Sequence, residues 1–563
     1  MSEETRRSAI SRYWPVLLVV VVAAGVLAVG AQGGDDDDTG RSGTTPTSTD
    51  SGSGVAGPPA LAFFEGEDPL SAPDCDPDTG RLMIPMVYAP NCVPLWEEGR
   101  DNGGGTHAGV TATEITIAIY QAQDNAEASA AVADATGQEA LPAAETEANR
   151  QQVFDVMNAL WETYGRTVTF EMLRASGSAS DDAAAKADAI RAATEIGAFA
   201  VIGGPTGTKA FAEELAARRL VCICADSYPA ERYVEWAPYV YGSGISSTWR
   251  NTFMADLLVS LAGQPAEHAG DALVGTERRF GLVHYETVDE VYKTAAEALV
   301  RDAAAEGIEI MRLPYVLDLA TAQENARTMV ARMKSGGVTS VILSGDPFMP
   351  YFVTNEATSQ DWYPEWIMSG AGLVDTAVAG RSYDQAQWRH AFGLSTLLAR
   401  IDPAAVQDDD NFVAWHLGRT LTSYPSIISA PTLFTGIQLA GPHLTPETFR
   451  DGLFSFERTS GYVTNWGVSW GTELWPMPDY TGADDVTLIW WDPDAEGPHE
   501  TQDEGQSGLG MWRYVDGGKR YARGELAGVD PVFFDTAGTS LLLAERPEAD
   551  RVPDYPRRAS RRG

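Results

Sequence analysis

Few residues in this chain have a type and spacing suited to chemistry. Gly203-Gly204-Pro205-Thr206-Gly207-Thr208 closes an apolar run and precedes a helical one. Backbone N–H groups and the hydroxyls of Thr206 and Thr208 at such a turn suit an anion or another hydrogen-bond acceptor. The order is not G-x-x-x-x-G-K-[ST], and Lys209 alone does not make a nucleotide-phosphate cradle. A tight strand-to-helix turn that helps to bind a solute is the preferred reading. Asp226 has no histidine or second acid fixed beside it by spacing, which suits a loop or ligand role better than acid–base catalysis. Asp492, Asp494, Glu496 and Asp503 fall at positions one, three, five and twelve of an acidic stretch with Gly497 at six. That is the oxygen spacing of a calcium loop, but Glu at five, Asp at twelve and the absence of flanking helical patterns favour an acidic surface loop. Asp74, Asp76 and Asp78 are a weaker instance. There is no H-E-x-x-H. His284, ending an apolar strand, reads as a satisfied structural histidine. No metal, cofactor or catalytic residue is expected, and the protein is read as a binder, not an enzyme.

Four cysteines fall in two pairs. Cys75 and Cys92 lie in a Pro-rich segment and read as a disulfide formed in an oxidising compartment. Cys222 and Cys224 would share one face of a strand. Geometry disfavours bridging residues so close, and buried thiols are expected there.

The N-terminus points to that compartment. Arg6, Arg7 and Arg12 precede an uncharged run, Trp14 to Ala31, and Asp35 to Asp38 follow it. This polarity places the remainder of the chain outside the membrane. Residues 1–31 read equally as an uncleaved anchor or a signal peptide cut near Val29-Gly30-Ala31. Either way, contact with the membrane is confined to this segment. The 79 acidic residues against 40 Lys+Arg give a net charge of -39, which repels nucleic acid.

The 563 residues exceed what one core holds. Residues 32–60 are Gly, Ser, Thr and Asp and read as a flexible stalk. Residues 61–108 form a Pro/Gly-rich extension with the first cysteine pair. Strand and helix patterns then alternate from Glu114 to Cys224 and again from Phe280 to Ser369. Such alternation demands parallel sheets covered on both faces, hence two α/β lobes. Lobe 1 is expected over 109–243, returning in 376–470. Lobe 2 is expected over 244–375, returning in 471–540. The charged tail, 546–563, is expected to be loose. Trp466, Trp470, Trp475, Trp490, Trp491 and Trp512 read as core or interface packing ahead of an aromatic-lined cleft.

Four passages, in order, resemble the branched-chain amino-acid-type receptors, type I periplasmic binding proteins that serve ABC transporters. Gly109-Val-Thr-Ala-Thr-Glu-Ile-Thr-Ile-Ala-Ile is similar to the family's opening strand. Ala200-Val-Ile-Gly-Gly-Pro-Thr-Gly-Thr is similar to its loop before a helix. Leu220-Val-Cys-Ile-Cys-Ala-Asp-Ser-Tyr-Pro, with Pro238-Tyr-Val-Tyr after it, resembles the next strand and loop. Ser335-Gly-Gly-Val-Thr-Ser-Val-Ile-Leu-Ser-Gly resembles the second-lobe strand. The resemblance implies two Rossmann-like lobes joined by three crossovers and closing on a solute. It carries ligand contacts to Thr206, Thr208, Ser227 and Tyr228 in the first lobe. In the second it carries them to Tyr285, Asp346, Phe348 and the Gly370-Ala371 turn. Many amino-acid-binding members have an acid near that turn, where this chain has Ala371; Asp226 or Asp346 would have to substitute. The function so implied is capture of a small polar metabolite, an amino acid or related compound, for an ABC uptake permease. The rival reading is a surface sensor, or a protein that binds a protein partner, reusing the fold without transport.

Overall fold

The computed structural model describes residues 58–64, 66–123, 143–225, 227–286, 291–402, 412–419, 429–498 and 507–561. The apolar run 14–31, most of the stalk, Asp226 and Asp503 lie outside the described residues. Among the described residues no helix is long and apolar enough to cross a membrane.

Lobe 1 is built on five parallel strands: β1 (Glu114–Gln121), β2 (Thr167–Arg174), β3 (Ala200–Ile202), β4 (Val221–Ile223) and β5 (Val240–Tyr241). Their order is β2-β1-β3-β4-β5. β3 and β4 are buried at every position, as interior parallel strands covered on both faces must be. The covering helices are α1 (Ala143–Leu160), α2 (Asp182–Arg191), α3 (Ala210–Ala217) and α4 (Ala230–Glu235). Asp181 starts α2 by accepting a 3.0 Å bond from the Ala184 N–H.

Lobe 2 repeats the plan. Helix α5 (Ser247–Leu261) leads to β6 (Phe280–Tyr285), α6 (Val291–Ala305), β7 (Ile310–Tyr315) and α7 (Ala322–Ser335). Then come β8 (Ser340–Ser344), α8 (Met349–Ser359), β9 (Glu365–Ser369), α9 (Ala377–Ser382), α10 (Gln385–Trp388) and β10 (Ala391–Ser395). The parallel order β7-β6-β8-β9-β10 matches lobe 1 strand for strand. The chain then returns to lobe 1 through α11 (Phe412–Leu417), α12 (Ala430–Ala440) and α13 (Pro446–Phe454). Finally β11 (Asp485–Gly497), β12 (Gly508–Tyr514) and β13 (Arg520–Ala522) extend the lobe 2 sheet in antiparallel fashion.

The return into lobe 1 therefore follows β10 and does not begin at 376, because α9, α10 and β10 pack with lobe 2. The second return comes near Asp485 and not 471, since Trp470 and Tyr480 belong to the lobe 1 core. The three crossovers lie side by side. The Gly242 N–H donates to the Tyr480 carbonyl at 3.0 Å, and Ala483 donates to Gly244 at 3.3 Å. The Trp466 indole donates to the Thr396 carbonyl at 2.8 Å. Arg520, buried and paired with Asp485 at 2.6 Å, donates to the Leu397 carbonyl at 2.9 Å.

The extension carries the Cys75–Cys92 disulfide. It docks where the lobe 1 strands begin: Trp96 donates to Glu162, just past α1, and Arg166, just before β2, donates to the carbonyls of Asn102, Thr111 and Pro442. The tail ends there too and is packed, contrary to the expected loose segment. Asp550 is buried and accepts two 2.6 Å bonds from Thr464. Tyr555 donates to Asp76 at 2.7 Å, and buried Arg561 pairs with Asp74 at 2.6 Å. The tail's charges are taken up by partners, which is why charge alone misjudged it.

Candidate solute-binding site

In open parallel sheets, loops beyond the carboxyl ends of the strands form the binding edge, because strand-to-helix turns present free N–H groups there. In lobe 1 that edge holds the turn after β3 and the loop after β4. In lobe 2 it holds the turns after β6, β8, β9 and β10. Helix α5 joins the two edges. Ser246 caps it, accepting from the Trp249 N–H at 3.2 Å. Its first turn faces lobe 1: Ser247 donates to the Tyr228 carbonyl at 3.1 Å, and the Thr248 hydroxyl accepts from the Ala230 N–H at 3.0 Å. Two residues on, Arg250 lies against lobe 2. A Cβ placed on Gly370, after β9, would stand 3.7 Å from the Arg250 Cδ and 3.2 Å from Thr396, after β10.

Arg250 is only 4% exposed, yet its guanidinium forms no hydrogen bond or ion pair with any described residue. Burial lowers its pKa, while Tyr292 and Asp375 favour the charged form. Asp375 itself accepts from the Ser395 hydroxyl at 2.5 Å. Beside it Tyr285 stacks on Tyr315 with ring centres 5.5 Å apart, and Tyr292 stands 5.7 Å from Tyr285.

The expected contacts divide. Tyr285 is part of this edge, and Gly370 carries the left-handed backbone (φ 71°) that lets its turn pass close to Arg250 and Thr396. Asp346 is buried and already engaged. It accepts from the Tyr315 hydroxyl and from the N–H groups of Phe348 and Met349 at 2.7 and 3.0 Å. Burial raises its pKa, and these bonds oppose the rise. It caps α8, and Phe348 stands at the helix start, buried. Thr208 donates to Asp182 and accepts from the Ala210 N–H, so it organises the start of α3. Thr206 is exposed on the same turn. Ser227 holds a left-handed backbone (φ 66°), uncommon for a residue with a side chain. Tyr228 is buried against Trp236, ring centres 5.2 Å apart. Arg250 was absent from the sequence expectations; it is the one Lys or Arg between Trp249 and Leu261, and no motif marks it.

Other expectations are corrected. Asp492, Asp494 and Glu496 lie on β11, not in a surface loop, and Asp492 pairs with Arg513 at 2.6 Å. Glu496 accepts from Ser507 at 2.8 Å. A strand bulged between Asp492 and Glu496 does not wrap three oxygens around one point. Cys222 lies on β4 and Cys224 one residue past its end, and their sulfurs are bonded to each other and are not separate thiols. His284 is fully buried with neither ring nitrogen hydrogen-bonded, and burial favours its neutral form. The tryptophans, by contrast, pack in cores as the sequence suggested: Trp491 on Trp512, and Trp475 stacked on Trp249 at 4.4 Å.

Two lobes of one strand order, three adjoining crossovers and carboxyl edges bridged by α5 decide the architecture. It is the type I periplasmic binding protein fold. No family model matches the chain, and no curated protein matches it. Solved structures similar to it include a fatty acid ABC transporter substrate-binding protein from Thermomonospora curvata (14% identity, 77% of this chain and 98% of that one, TM-score 0.46). Another is an ABC transporter substrate-binding protein from Aeropyrum pernix (12%, 74% and 97%, 0.48). A third, from Desulfitobacterium hafniense, is in complex with Leu (15%, 70% and 99%, 0.42). At these levels the likeness adds nothing to the topology. A type I periplasmic binding protein fold by itself leaves the ligand open.

Proposed function

We propose that the protein is an exported solute receptor, which captures a small molecule between its lobes and delivers it to the permease of an ABC uptake transporter. The observation that carries this reading is the buried, unpartnered Arg250 on the helix that joins the carboxyl edges of two matching lobes. A cation held there without a partner is a group awaiting a ligand. The three adjoining crossovers suit a hinge, so a solute that touches both lobes would shift an open–closed equilibrium. The Cys75–Cys92 bridge fits an oxidising compartment outside the cytoplasm. An amino acid would need an acid for its ammonium group, and Asp346 is engaged by Tyr315 and the start of α8. Asp375 is another acid at this edge, within electrostatic reach of Arg250, so amino acids stay among the candidate solutes.

The test is thermal unfolding of the full-length chain against a panel of neutral, cationic and anionic metabolites. A ligand at one hundred times its dissociation constant adds about 2.7 kcal/mol to a fold it binds exclusively. A saturable rise in Tm for one chemical class is expected. A panel with no saturable member counts against solute capture and favours the sensor or partner-binding role.

A further inference from the structure

We infer that the solute is a small organic monocarboxylate and that Arg250 is its anchor. The inference rests on the receptor reading above and specifies its ligand. Arg250 is the buried cation at the junction of both binding edges, and its guanidinium donates no hydrogen bond to the described protein. A guanidinium offers paired N–H donors that match a carboxylate in the plane, so one ligand carboxylate satisfies it with two charge-assisted bonds.

The neighbours set the ligand's charge. Asp375 lies within electrostatic reach of Arg250 and offsets part of its field. The single guanidinium matches a single carboxylate; a phosphate monoester or a dicarboxylate would bring a second charge that, beside Asp375, has no partner. The neighbours also set the body of the ligand. Tyr292 lies within electrostatic reach of Arg250 and the half-buried Tyr285 stands 5.7 Å from Tyr292, which gives the anchor a tyrosine wall on the lobe 2 side. Such a wall suits a flat or apolar group attached to the carboxylate.

An unpartnered buried charge weakens a fold, and a binding group retained at that cost leaves a signature. The ligand-free Arg250→Met protein is expected to unfold at a higher temperature than the parent. A guanidinium with a purely structural role would give the opposite sign, so this measurement separates a binding group from a packing one.

The binding experiment uses matched acid–amide pairs with the full-length chain: benzoate and benzamide, phenylacetate and phenylacetamide, hexanoate and hexanamide. Titration calorimetry and thermal unfolding read affinity. At least one acid is expected to bind saturably while its amide does not, and Arg250→Gln is expected to weaken that acid about 30-fold or more. Arg250→Lys, which keeps the charge but not the fork, is expected to recover only part of the loss. Amides binding as well as acids, or Arg250→Gln retaining parental affinity, overturns the inference. If the acids fail while neutral or cationic metabolites of the wider panel bind, the carboxylate assignment falls and the receptor reading stands. If nothing binds, both fall.

Discussion

Arg250 and the acids of the third crossover are buried polar groups treated in opposite ways. Asp479 accepts from the Thr481 N–H and hydroxyl at 2.9 and 2.6 Å, and Asp484 accepts from Ser469 and Trp475 at 2.6 and 2.9 Å. Burial pushes Asp479 up to about 7, against the bonds from Thr481. Burial, and then the neighbouring Asp479, push Asp484 up to about 8, against the bonds from Ser469 and Trp475. The ordinary unfolded value is about 4, so the native state holds protons here that the unfolded chain releases. The stabilising contribution is complete below about pH 4 and is lost as pH rises through about 7 to 8. Urea unfolding between about pH 5 and pH 8 is expected to show stability falling with pH, at up to about 1.4 kcal/mol per unit for each proton. Asp484→Asn should flatten that slope. A slope unchanged by the substitution would place the titration elsewhere. None of this was legible in the sequence, where Asp479 and Asp484 look like ordinary surface acids beside a Gly-Ala turn.

Among the elements, those with a strong period were legible and those pressed on many sides were not. The strands Glu114–Gln121, Phe280–Tyr285 and Glu365–Ser369 stand within a residue of the apolar runs that announced them. Helix α5 was missed although it joins the lobes. Its buried face includes Ser247, Arg250 and Asn251 beside the apolar residues, while Val259 is exposed, so polarity does not follow burial along the helix. Missing α5 also meant missing Arg250. The turns at the lobe 2 edge were half legible. Gly370 was singled out, yet the sharper demand falls on Gly372. A Cβ there would lie 1.5 Å from the Gly345 carbonyl oxygen, and its φ is +66°. The turns after β8 and β9 thus touch backbone to backbone. Gly372→Ala must push them apart and is expected to cost about 2 kcal/mol or more in denaturant unfolding. A loss below about 0.5 kcal/mol would show that the turns yield freely.

At the scale of the molecule, the two-lobe plan was readable because parallel sheets impose it on any alternation of strand and helix. The points of return were not, because β10 and the Trp470–Tyr480 segment look alike in either lobe. The tail was misjudged for a related reason: Arg561 finds Asp74, Val93 and Glu162, all distant in sequence. Arg561→Ala leaves Asp74 buried without its guanidinium and is expected to cost about 3–5 kcal/mol, read as a lower urea midpoint. An unchanged midpoint would show that the tail adds nothing to the fold.

The docking of the extension has a consequence for how the molecule works when held at a surface. Both the extension and the last described residues settle at the edge of lobe 1 where its strands begin, opposite the edge that faces the solute. Any leash formed by the chain before Pro58 would therefore moor lobe 1 by its base and leave the mouth turned outward. Lobe 2, joined to lobe 1 by the three crossovers and by the C-terminal segment that follows β13, would then be the body that swings in the proposed closure. A fluorophore on lobe 2 should report closure, and one beside Cys75 should stay still.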